Sequence, residues 1–188
     1  MVPEVEVEFP VVEFLKAHHF DGIDIDWEFP TFAAVGGNDR TLGRTNDKAD
    51  FVTLLADLKK AFQPYGFVLS ATVAGAKDTI DRAYDVARMS QTVDFLNVMA
   101  FDYETESKST AYSAPLYSAT ESKHDKTANV DFTIRYLMQK GAAPEKIVLG
   151  IPLYGKAYKL AGADSKLGAR AVSVNDAPTA RQVRDHPF

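Results

Sequence analysis

In this 188-residue chain the residues best suited to chemistry share one short stretch, Phe20-Asp21-Gly22-Ile23-Asp24-Ile25-Asp26-Trp27-Glu28-Phe29-Pro30. Ile23, Ile25 and Trp27 alternate with Asp24, Asp26 and Glu28, and this two-residue period predicts a strand over Phe20 to Trp27. Side chains two apart on a strand leave the same face, so three carboxyl groups crowd one side. Full ionisation of all three is strongly self-repelling, and at least one should hold its proton. A glutamate whose ordinary pKa is about 4.3 can then stay an acid near neutrality, as protonating a leaving oxygen requires. Glu28, last in the series and longest in reach, is the natural donor.

Spacing alone leaves two other readings open. Three alternating carboxylates could ligate a divalent cation through hard oxygen atoms, or form the solvated face of an edge strand. The calcium-loop pattern fails, because no glycine or distant glutamate falls in register after Asp24. Trp27, taken by itself, is a core residue more often than a substrate platform.

The elements that must position this stretch follow from the rest of the chain. Val12, Phe14 and Leu15 have helical spacing after Pro10, which predicts a helix over Val11 to His19. A loop is expected from Gly36 to Asn46, and a second helix from Asp50 to Phe62 through Phe51, Leu54, Leu55 and Leu58, stopped by Pro64 and Gly66. Short apolar runs at Phe67 to Val73, Val93 to Phe101 and Ile147 to Ile151 read as strands, with a helix at Val130 to Met138 closed by Gly141 and Pro144. Strand alternating with helix points to a parallel sheet with crossover helices, an α/β protein. Ala161 to Phe188 shows no sustained period and reads as loop or as the start of an incomplete insertion.

With 46% hydrophobic residues the chain can bury one sizeable core. A net charge of −5, with no run among its 21 basic residues, speaks against nucleic acid or an anionic membrane surface as partner and suits a neutral substrate. Cysteine is absent, so neither disulfides nor thiolate metal sites are available. Met1 to Glu6 lack the basic start and apolar run of a secretion signal, and no stretch is apolar for long enough to span a bilayer.

Asp21 to Glu28 match, position for position, the D-G-x-D-x-D-x-E signature of the family 18 glycoside hydrolases, followed by the aromatic-proline pair Phe29-Pro30. Leu69 to Val73, running on to Tyr84-Asp85-Val86, resembles the family's fifth-strand segment. Asp94 to Tyr103 resembles its sixth and Ile147 to Ala157 its seventh. These blocks occur in family order across Phe9 to Tyr158, and the likeness is greatest to animal-type chitinases. The resemblance implies a (β/α)8 TIM barrel present in part, its fourth to seventh strands, with the strands' carboxyl ends lining a substrate groove. Residues 1–158 are then a partial catalytic barrel and 159–188 a divergent tail.

The implied activity is hydrolysis of β-1,4-linked N-acetylglucosamine polymers by substrate-assisted retention, with chitin or its oligomers as partner and neither cofactor nor metal. The residue matching Glu28 protonates the departing oxygen, Asp26 orients the acetamido N–H, and Asp24 shares a proton or hydrogen bond with Asp26. Met99, Phe101, Asp102, Tyr154 and Trp27 match positions at the reacting sugar. Phe101 stands where the family usually has a tyrosine, and Lys156 where arginine is common. The family implies an extracellular parent. A complete barrel needs roughly 250 residues, so the chain is expected to be a fragment whose outer strands leave edges open to self-association. A binding protein without turnover, an inactive truncated product and a metal-dependent hydrolase remain as alternative readings.

Overall fold

A computed structural model describes residues 10–31, 43–103, 108–118 and 125–174. Helix α1, Pro10–His18, carries proline at its first position, where the missing N–H costs nothing, and buries Val12 and Leu15. Helix α2, Asp47–Phe62, buries Phe51, Val52, Leu55, Leu58 and Phe62 along one stripe. It begins three residues before the position that periodicity predicts, because the Asp47 carboxylate accepts the Arg44 N–H at 2.6 Å and anchors the first turn. It runs into a 3-10 turn at Gln63–Tyr65, and Gly66 then reverses the chain at a φ of 68°. Phe51 is fully buried, and truncating it to alanine costs about 3–5 kcal/mol.

Four strands follow in one sheet: β1 Gly22–Ile25, β2 Val68–Ala74, β3 Phe95–Met99 and β4 Ile147–Leu149. Helices α3, Lys77–Ala83, and α4, Val86–Thr92, bridge β2 to β3, and α5, Val130–Gln139, precedes β4. Every neighbouring pair is parallel, and spatial order equals chain order, β1-β2-β3-β4. A doubly wound sheet reverses direction at a switch point; this one never does, which is the progression of a barrel wall. The chain is therefore α/β, part of a (β/α)8 TIM barrel.

Side-chain parity defines two faces. Leu69, Ala71 and Val73 of β2 and Leu96 and Val98 of β3 are buried in the core against the helices. Ser70, Thr72, Asn97 and Met99 alternate with them and occupy the other, inward face. Gly22 lets β1 approach β2, since a Cβ there would lie 2.0 Å from the Val68 carbonyl oxygen.

One sequence expectation is corrected. The strand predicted over Phe20 to Trp27 is paired only from Gly22 to Ile25, so Asp26 and Glu28 lie past its last ladder residue. In the stretch after Ala161, β6, Ala171–Val174, pairs antiparallel with β5, Tyr158–Leu160. Period-two patterning is weak over strands this short, and residue 170 just before β6 also bridges Ser109 of a distant loop. The loop expected at 36–46 falls largely outside the described residues, as does 175–188.

Candidate active site

Asp24 lies opposite Ser70 in the β1–β2 register. Its carboxylate accepts the Ser70 hydroxyl and the Thr72 hydroxyl, each at 2.6 Å, and the Asn97 side-chain N–H at 2.9 Å. Asn97 comes from β3, so its amide crosses the whole width of β2. These donors engage both oxygens of Asp24, whose charge in turn acts on Asp26.

Asp26 and Glu28 continue the same parity beyond the ladder. Both keep a solvent-exposed side, yet the strand ends around them exclude enough water to push each carboxyl above its ordinary range. For Asp26 that burial comes first and the charge of Asp24 second; for Glu28 burial again leads and the charge of Asp26 follows. The like-charge argument from sequence thus has the right direction and names the smaller of the two causes. The Glu28–Phe29 peptide bond is cis.

The loop after β3 builds a second carboxylate centre. Asp102, with a left-handed φ of 55°, accepts the Tyr154 hydroxyl at 2.5 Å and the Ser113 hydroxyl at 3.1 Å, and pairs with the Lys156 ammonium at 2.8 Å. The Lys156 side chain is only 9% exposed. Burial alone pushes the Asp102 carboxyl up, but Lys156 and Tyr154 together outweigh it and hold it below the usual range. Tyr154 also meets Phe101 edge-on, ring centres 6.3 Å apart, so the ends of β3 and β4 are tied together by one carboxylate and one aromatic contact.

Met99 closes β3 on the same face as Asn97, in register with Ala74. Trp27 is placed differently: its ring is half-buried in the core and meets Phe51 edge-on at 5.5 Å, away from the carboxylates, as the odd parity of Ile23 and Ile25 requires. The structure thus brings Asp24 and Asp26 together, sets Glu28 beside Asp26, and puts Asp102, Tyr154 and Phe101 in a separate group at the ends of β3 and β4. Sequence reasoning did not single out Ser70, Thr72, Asn97 or Ser113. The legible signal was polar residues at alternate positions of an apolar strand for Ser70 and Thr72, and a lone polar residue within an apolar strand for Asn97. Among the described residues no group of three or more His, Cys, Asp or Glu has the arrangement of a metal site.

With this geometry in hand, likeness to known proteins becomes informative. The sequence pattern of the glycosyl hydrolases family 18 matches residues 10–185. The chain is 40% identical over 162 residues to probable chitinase 10 of Drosophila melanogaster, which covers 85% of this chain and 7% of that protein. The crystal structure of catalytic domain 2 of the Ostrinia furnacalis Group II chitinase superposes with a TM-score of 0.79 at 38% identity, covering 86% of this chain and 42% of that one. Human YKL-39, a pseudo-chitinase with retained chitooligosaccharide binding properties, gives a TM-score of 0.75 at 29% identity over 86% of this chain and 44% of its own. The chain spans less than half the length of each of these proteins. An acidic strand end in a barrel wall and a match over nearly the whole chain lead to one conclusion: this chain belongs to family 18 of the glycosyl hydrolases.

Proposed function

We propose that these residues form the acid end of a groove that hydrolyses β-1,4-linked N-acetylglucosamine polymers. The observation that carries the reading is the position of Glu28: past the strand end, on the solvent-facing rim, with its carboxyl pushed up by burial and by Asp26. A proton held there more tightly than on a free glutamate is what donation to a glycosidic oxygen calls for. The acetamido oxygen of the sugar attacks the anomeric carbon as the C–O bond breaks, and Glu28 gives its proton to the departing oxygen. Water then adds to the cyclic intermediate, losing a proton to Glu28, so the acid is regenerated and the sugar retains its configuration. Asp26 accepts the acetamido N–H and so orients the acetamido group and stabilises the oxazolinium-like intermediate. Met99, Phe101, Asp102 and Tyr154 contact the bound sugar in this reading. The protein acts outside the cell, and the outer edges of β1 and β4 favour self-association when uncovered.

A second reading, binding of chito-oligosaccharides without turnover, is favoured by Phe101, which offers no hydroxyl to the developing oxazolinium. Human YKL-39, a pseudo-chitinase with retained chitooligosaccharide binding properties, is a relative of that kind. Chromatography of a penta-N-acetylglucosamine substrate separates the two. The catalytic reading expects shorter oligomers from the unaltered protein and none from Glu28→Gln, which still binds. Unchanged cleavage by Glu28→Gln overturns it, and binding without cleavage by the unaltered protein establishes the second reading in its place.

A further inference from the structure

The loop that carries Asp102 is held from behind by helix α5. Tyr103, the next residue, packs its ring against the core, and its hydroxyl lies 2.7 Å from the Thr133 hydroxyl. Thr133 is fully buried in the first turn of α5. A threonine inside a helix often returns its hydroxyl to a carbonyl of the preceding turn; this one donates instead to the Gly75 carbonyl just past β2, at 2.7 Å. Its single hydrogen is thereby committed, so the Tyr103 O–H must be the donor to Thr133 Oγ1. The relay runs one way, from Tyr103 to Thr133 to Gly75, and ends on a group that only accepts. Gly75 is itself pressed onto β3: a Cβ there would lie 2.5 Å from the Met99 carbonyl oxygen and 3.1 Å from the Tyr103 hydroxyl.

The same helix holds the returning end of the loop. Val130 and Asp131, whose N–H groups have no partner inside the helix, donate to the carbonyls of Pro115 and Leu116, both at 3.0 Å. Just ahead of those two, Ser113 is clasped twice: its carbonyl accepts the Tyr103 N–H at 3.3 Å and its hydroxyl donates to the Asp102 carboxylate. Asp102 stands where these ties meet, in the left-handed conformation already noted, which costs a residue with a side chain energy unless its surroundings fix it. We propose that Tyr103 and Thr133 are positioning residues that lock the start of the loop onto α5 and so keep the Asp102 carboxylate on Tyr154, Ser113 and Lys156. That Asp102 then meets a sugar rests on the function proposed for the groove; that Tyr103 and Thr133 hold it does not.

Carboxyl-carbon NMR titration of Asp102 in the full chain tests this without turnover. Among the described residues the charged or titratable groups bearing on Asp102 are Lys156 and Tyr154, and neither is altered. Tyr103→Phe keeps the ring and removes the hydroxyl, and Thr133→Val keeps the volume and removes the acceptor. In each, Asp102 loosens from its partners, and its midpoint rises by about half a pH unit toward that of a free aspartate. Thr133→Ser retains the hydroxyl and leaves the midpoint where it was. Tyr136→Phe is the control: it removes a hydroxyl from the same helix, the one donating to Asp81 at 2.6 Å, and leaves Asp102 unmoved. An Asp102 midpoint unmoved in Tyr103→Phe, or moved as far by Tyr136→Phe, overturns the assignment. If these shifts appear in a protein that neither cleaves nor binds penta-N-acetylglucosamine, the proposed function falls and this assignment stands; cleavage without the shifts does the reverse.

Discussion

Two carboxylate centres share the rim of this sheet, and their surroundings push their protons in opposite directions. At the end of β1, Asp26 and Glu28 face other acids and have partly lost water, so both hold their protons more tightly than free side chains do. At the end of β3, Asp102 loses water as well, yet Lys156, Tyr154 and Ser113 compensate it and it stays an anion. Burial is common to both; the presence of a counter-charge separates them. Paired groups driven apart in this way are how one fold obtains an acid and a fixed anion at the same pH.

The comparison breaks most visibly at Glu28. Glu28→Gln is expected to lower the rate of chito-oligosaccharide cleavage by about 10²–10⁴-fold with binding retained, whereas Asp102→Asn lowers it by less, as initial-rate measurements on the two variants would reveal. Lys156→Met is the next largest change. It removes the buried cation from Asp102 and should cost about 1–2 kcal/mol in urea unfolding, less than a fully buried pair because the Asp102 side chain is 39% exposed. Phe101→Tyr supplies a hydroxyl donor and is expected to raise turnover about tenfold, measured as kcat on the same substrate.

The smallest effect sharpens the contrast by its sign. Asp26 is raised in the folded state, so its ionisation opposes folding once the pH exceeds that raised value. Asp26→Asn should accordingly be more stable than the unaltered protein at pH 7, with the gain vanishing in acid below the ordinary carboxylate range. Asp102 is lowered, so its contribution is present above the ordinary aspartate value and is lost as the pH falls through its folded value. Asp102→Asn should be less stable at pH 7, and that deficit closes in acid. Thermal unfolding at a series of pH values reads both, and two curves of the same sign would undo the distinction.

The alternation of Ile23, Ile25 and Trp27 with Asp24, Asp26 and Glu28 made the acidic face legible, because a two-residue period fixes which side chains share a side. It did not reveal where pairing stops, since Asp26 and Glu28 keep the parity after the ladder has ended. The donors to Asp24 were hidden for a different reason. Asn97 is 73 residues away from Asp24 in sequence, and only the parallel register of three strands brings its amide to that carboxylate. Trp27 shares the parity of Ile23 and Ile25, and its ring meets Phe51 edge-on. Burial as the leading cause of the raised Glu28 carboxyl could not be read from neighbours in sequence, because water is excluded by packing from other elements.

The most direct measurement is the titration of two side-chain carboxyl carbons, Glu28 and Asp102, in one sample by NMR. The Glu28 midpoint is expected above that of a free glutamate and the Asp102 midpoint below that of a free aspartate. A Glu28 carboxyl that ionises at or below the free value would contradict its assignment as the acid.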